Sequence, residues 1–174
     1  AFVENGGTLV VTYISGIVGQ SDNVHLGGYP GPLRKLAGIW AEEIDALAPE
    51  QFNEVEMASG ETWRCGLVCD LMHLEGAESL GAYKADFYRG MPAVTKNRFG
   101  KGQVYYVGTR LEEQGLASVL DMVAADAKVE SVVSGGEGLE IVCRRAKEGK
   151  LFFVMNFGDK ERKLPECFYK QKDL

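Results

Sequence analysis

The chain has 174 residues, 45% of them hydrophobic and 25% charged, enough apolar material for one medium domain, or a domain with a small appendage, and too much for disorder. A formal net charge of −6 and a pI of about 5.0 argue against a nucleic-acid partner, which needs clustered Lys and Arg. No apolar run nears the roughly 20 residues of a membrane helix and no basic-then-apolar leader opens the chain, so the composition reads as a soluble, cytoplasmic piece with no membrane partner.

Ala1-Phe2-Val3-Glu4-Asn5-Gly6-Gly7 reads as the last turn of a helix with a glycine stop, and residues 8–14 as a strand covered on both faces. A helix with neither cap nor earlier turns does not nucleate alone, so residues upstream of Ala1 are expected to belong to the same domain. Leu33, Leu36, Ala37, Trp40, Ile44 and Leu47 fall at helical spacing, with Arg34, Lys35, Glu42 and Glu43 left for solvent, which predicts a helix opened by Pro32. Trp63, Cys65, Leu67, Cys69 and Leu71 alternate through residues 62–71 and predict a half-buried strand. Residues 80–88 and 93–98 read as extended, Gly100-Lys101-Gly102 as a tight turn and residues 103–109 as a strand. Leu116, Val119, Leu120, Val123 and Ala127 predict a second amphipathic helix. Strands mixed with helices in this order imply a layered α/β sheet flanked by helices. The glycine-rich Ser134-Gly135-Gly136-Glu137-Gly138 marks a domain boundary, beyond which residues 139–145 and 151–157 form a hairpin. A lone hairpin is marginal in water, so a further strand is expected from Cys167 to Leu174, in a C-terminal domain that is incomplete.

The chemistry-bearing residues are sparse. Cys65 and Cys69 are four apart, wrong for a C-x-x-C pair, and on a regular strand they share a face too far apart to pair; Cys143 and Cys167 stand alone. All four read as buried thiols of a reducing compartment. His25 and His73 are near neither each other nor a cysteine cluster, which argues against a metal site. The acidic residues fall in patches such as Glu42-Glu43 and Glu112-Glu113 that read as solvated faces rather than the facing carboxylates of a glycosidase. Trp63-Arg64-Cys65-Gly66-Leu67 is the nearest thing to a nucleophile elbow, but Arg64 and the strand-like alternation argue against it. Gly27-Gly28-Tyr29-Pro30-Gly31-Pro32 lacks the order of a phosphate loop and reads as a turn setting a helix entry, with a subunit-contact or active-site-facing loop as the functional rival. Tyr29, Trp40 and Trp63 are aromatics that serve either interface or core.

The stretches Gly6-Gly7-Thr8-Leu9-Val10-Val11-Thr12-Tyr13-Ile14-Ser15-Gly16-Ile17-Val18, Val24-His25-Leu26-Gly27-Gly28-Tyr29-Pro30-Gly31-Pro32-Leu33-Arg34 and Leu36-Ala37-Gly38-Ile39-Trp40 resemble the trimerisation domain of glycoside hydrolase family 42 β-galactosidases. The resemblance continues through Asn97-Arg98-Phe99-Gly100-Lys101-Gly102 and Tyr105-Tyr106-Val107-Gly108-Thr109 to about Val133, and the tail from Gly135 resembles the small β-rich domain that closes those enzymes. It implies a flavodoxin-like domain over residues 1–133, truncated at its N-terminus, and a C-terminal β-rich domain over residues 134–174. It further implies a homotrimeric retaining enzyme acting on terminal non-reducing β-D-galactose residues, whose catalytic glutamates lie on a barrel outside this chain. On that reading no catalytic, cofactor-binding or metal-binding residue is carried over, no cofactor is needed, and the chain's work is to bury surface between subunits, on the order of 800 Å² per partner. The competing class is a free-standing flavodoxin-like domain, similar to class I glutamine amidotransferases, with a ligand pocket at the carboxyl ends of its strands.

Overall fold

The computed structural model describes residues 1–133, 138–147 and 149–169. They form two compact units, Ala1–Ala127 and Lys128–Leu174.

The first unit is mostly sheet. It opens on a helical turn in which Asn5 N donates to Ala1 O, Gly6 N to Val3 O and Gly7 N to Phe2 O, with Gly6 in the left-handed region. The last two of these bonds form the Schellman ending of a helix. Strand β1 (Thr8–Thr12) follows, parallel to β7 (Gly102–Val107). The remaining strands are β2 (Ile39–Ala46), β3 (Asn53–Met57), β4 (Thr62–Leu74), β5 (Glu78–Tyr83), β6 (Pro92–Phe99) and β8 (Thr109–Leu111). Their order is β1-β7-β6-β5-β3-β4-β2, with β8 paired to β4. Among the described residues β1–β7 is the one parallel pair; the other ladders are antiparallel.

Two sequence expectations need correction. The helix expected to run from Leu33 to Leu47 is a 3-10 turn (Gly31–Leu33) and a single helical turn, α1 (Arg34–Ala37), followed by β2. Gly38 ends α1 with φ 65° and its N–H on Arg34 O, and the Asn97 side-chain amide donates to Leu36 O at 2.9 Å. Once stopped there, the chain buries Ile39 and Ala41 at period two against β4, and Trp40 turns to the other face. The layered sheet flanked by helices is accordingly replaced by a mixed sheet with few helices, because the tertiary ladder with β4 outweighs a helical spacing that a single glycine interrupts.

Other elements follow the sequence more closely. β4 runs three residues past the expected end at Leu71, and the strand expected over residues 103–109 is divided at Gly108 into β7 and β8. Helix α2 (Glu113–Asp126) buries Gly115, Val119 and Val123, whereas Leu116 and Leu120 stay exposed. A Cβ at Gly115 would lie 2.7 Å from the Trp63 side chain, so the absence of one lets helix and β4 approach. The core lies on both faces of the sheet. Tyr105 and Val107 of β7 point into the cluster that α2 covers, while Val104 and Tyr106 point into the cluster that holds Tyr29, Ala37 and Ile39.

In the second unit β9 (Glu140–Ala146) pairs antiparallel with β10 (Gly149–Met155), from Gly149↔Ala146 to Met155↔Glu140. Glu166–Phe168 is a 3-10 turn rather than the start of the expected strand, and Phe168 packs edge-on against Phe152 at 5.2 Å. Ser134–Glu137 of the expected boundary and residues 170–174 of that expected strand lie outside the described residues.

Candidate interaction surface

Residues 13–30 connect β1 to the 3-10 turn that precedes α1. The segment closes on itself: Val18 bridges Val24, Gly19 N donates to Asn23 O at 2.8 Å and His25 N to Ile17 O at 2.9 Å. Its exposed side chains are mixed: the apolar Ile14, Val18, Val24 and Leu26, Leu26 at 97%, lie on either side of the polar Gln20, Ser21, Asp22 and Asn23. The four apolar side chains leave hydrophobic area that a covering surface would bury.

The base of the loop is held rigidly. Tyr29 exchanges backbone hydrogen bonds with Ala41 (Tyr29 N→Ala41 O 3.1 Å, Ala41 N→Tyr29 O 2.6 Å). Gly28, at φ 89°, passes so close to β2 that a Cβ would lie 2.6 Å from Ala41 O. The Tyr29 hydroxyl then enters the core and donates to Asp70 Oδ1 at 3.0 Å, while the Tyr106 hydroxyl donates to Asp70 Oδ2 at 2.9 Å. Asp70 is fully buried, and among the described residues it forms no ion pair. Burial raises its pKa to about 6 although the two hydroxyls pull the other way, and in return the tyrosine hydroxyls are pushed up, first by burial and then by the carboxylate's charge.

Beside the loop a surface cluster fixes its exit. Arg34 grips Glu75 through two bonds (Nε–Oε2 2.6 Å, Nη2–Oε1 2.5 Å), donates to Gly27 O at 2.8 Å and lies 5.3 Å over the Trp40 ring. Trp40 stacks on His73 at 4.6 Å, and His73 Nε2 meets Glu42 Oε2 at 2.5 Å. Tyr29 is thus the loop's anchor and Trp40 part of its frame, while Trp63 packs under α2. The Gly27–Pro32 turn leads into one helical turn only, which is too short to present an anion site.

The Cys65 region is not an elbow, since it lies within β4 rather than between strand and helix. His73 is eight residues further along the same strand, on the order of 20 Å away, and cannot serve as its base. The expectation that Cys65 and Cys69 are held too far apart to meet assumed an even strand; a bulge pairs them with Leu111 and Thr109, only two residues apart on β8. An open cleft of about 560 Å³ borders this bulge, lined among others by Phe52, Arg64, Cys65, Leu67, Arg110 and Glu112. Arg64 lies 3.8 Å over the Phe52 ring there. Among the described residues no three His, Cys, Asp or Glu side chains converge as a metal site would require, and no helix is long and apolar enough to cross a membrane.

Residues 1–130 match the model of the β-galactosidase trimerisation domain. The chain is 48% identical to β-galactosidase LacA of Lactobacillus acidophilus over 174 residues, covering 99% of this chain and 26% of that protein. Its structure superposes on the β-galactosidase of Bacillus circulans sp. alkalophilus with a TM-score of 0.87 at 41% identity, covering 92% of this chain and 25% of that one. It also superposes on Gan42B, a GH42 β-galactosidase from G. stearothermophilus, with a TM-score of 0.84 at 37% identity, covering 92% and 24%. The chain therefore spans about a quarter of the length of these relatives.

Proposed function

The chain belongs to the β-galactosidase trimerisation domain family, and from that premise we propose that it is the assembly region of a homotrimeric, retaining family 42 β-galactosidase that removes terminal β-D-galactose. The observation that carries this reading is the family match joined to the exposed apolar side chains of Val18, Val24 and Leu26 on a loop anchored through Tyr29. Residues 1–133 are assigned to the trimerisation domain and residues 134–174 to a C-terminal β-rich domain. The parallel β1–β7 pair is the part of the sheet that supports a flavodoxin-like arrangement for the whole domain. Catalytic carboxylates, and with them galactoside binding, are placed in the part of the enzyme beyond this chain; the thiols of Cys65 and Cys69 support a reducing, cytoplasmic location.

In this role the loop tip is covered by a neighbouring subunit. Burying Val24 and Leu26 contributes about 1.5–3 kcal/mol each, enough for one acidic substitution to shift the assembly. The test is the mass of the enzyme that carries these residues, by light scattering coupled to size exclusion, with a chromogenic β-galactoside assayed on the same fractions. A trimer that hydrolyses the galactoside, and a shift toward monomer in Leu26→Asp, are expected. A wild-type monomer, or hydrolysis by the 174-residue chain alone, would overturn the proposal.

A further inference from the structure

Cys65 and Cys69 stand four apart in sequence, but the sheet places them closer. β4 pairs with β8 through Cys65↔Leu111, Gly66↔Arg110 and Cys69↔Thr109, so Leu67 and Val68 drop out of the ladder, and Leu67 takes φ 66°. Two residue steps on β8 therefore match four on β4. Along a regular strand two steps are about 6.7 Å, which lies within the roughly 4.4–6.8 Å between Cα atoms that a disulfide spans. Both side chains enter the same apolar cluster and both are free thiols. Cys69 Sγ lies 3.7 Å from Thr109 Oγ1. Cys65, Gly66 and Leu67 line the open cleft, which gives a small oxidant a way to the pair at Cys65, while Cys69 is fully buried.

We propose that Cys65 and Cys69 are a modification site, a dithiol that a peroxide converts into a reversible intrastrand disulfide. One of the two sulfurs, as its thiolate, attacks one peroxide oxygen, the O–O bond breaks and hydroxide leaves, giving a sulfenic acid. The sulfur of the other cysteine then attacks the sulfenic sulfur and displaces hydroxide, which takes up that cysteine's proton. The net change is two thiols and one hydrogen peroxide giving one disulfide and two waters. Oxidation would lock the bulge at the rim of the cleft, and a dithiol reductant would release it.

Peptide mapping tests this directly. Trypsin cuts after Arg64 and Lys84, so both cysteines fall in one peptide of residues 65–84, separate from those holding Cys143 and Cys167. After treatment of the chain with hydrogen peroxide, denaturation and alkylation, that peptide is expected to be lighter by two hydrogens and to carry no alkyl group. Dithiothreitol before alkylation should restore two alkylated cysteines. In Cys65→Ser and in Cys69→Ser no intrastrand disulfide can close, so the peptide of residues 65–84 should no longer lose two hydrogens, and its one remaining cysteine should stay open to alkylation or be captured as a sulfenic acid by dimedone. The proposal fails if the oxidised wild-type peptide still takes two alkyl groups, gains oxygen, or is linked to the peptide of Cys143 or Cys167. Should either variant not fold, the wild-type peptide alone decides.

Discussion

The buried carboxyl of Asp70 makes the stability of the first unit depend on pH in an unusual direction. Its pKa is raised from 3.8 to about 6 in the folded protein, so the native state holds a proton that the unfolded chain has already released. Between these two values the folded state binds about one proton more, and stability falls by about 1.4 kcal/mol per pH unit. Over a window of about two units this amounts to about 3 kcal/mol. The stabilisation is fully present below the unfolded value and is lost as the pH rises through about 6. The perturbation is Asp70→Asn, which keeps shape and one acceptor for Tyr29 or Tyr106 but does not ionise. Urea unfolding of both proteins from pH 4 to 7.5 gives the difference in stability at each pH, which cancels the contributions of other groups. The variant is expected to gain on the wild type by about 3 kcal/mol between the ends of the series, corresponding to about 1–2 M in the urea midpoint. Tyr29→Phe removes one of the two hydroxyls that favour the ionised form, so its drop should centre at a higher pH than in wild type. A difference that stays flat across the series, or that runs the other way, would mean that the tyrosine hydroxyls outweigh burial and refute the reasoning.

Two other substitutions probe the packing around this site. Thr95 is fully buried and its Oγ1 has no hydrogen-bond partner among the described residues, so Thr95→Val should stabilise by about 1 kcal/mol in urea unfolding; a loss of that size would reveal a partner for the hydroxyl. Gly38→Ala forces a side chain into φ 65° and places its Cβ 2.6 Å from Asn97 Cγ, which disturbs the bond from Asn97 to Leu36 O. A loss of about 2–3 kcal/mol is expected, and a change under about 0.5 kcal/mol would show that another residue stops α1.

The sequence by itself determined the features that rest on local chemistry or on long, uniform patterns. Gly6-Gly7 closes a helical turn because glycine enters the left-handed region freely, and residues 62–71 and the paired runs of β9 and β10 become strands, although the half-buried alternation expected in β4 fails where Leu67 is exposed and residues 68–72 are buried in succession. The family, too, was legible in runs such as residues 24–34. Tertiary structure decided what competing patterns left open. Residues 33–47 carry apolar spacing that fits a helix, yet Ile39 and Ala41 also alternate, and the ladder with β4 selects the strand once Gly38 breaks the turn. Asp70 gave no sign of its role, since it reads as one acid in an apolar strand; only the arrival of Tyr29 from 41 residues away and Tyr106 from 36 makes it the loop's anchor. The approach of Cys65 and Cys69 was likewise hidden, because spacing along a chain measures distance only where the strand is regular, and a bulge is set by the partner strand.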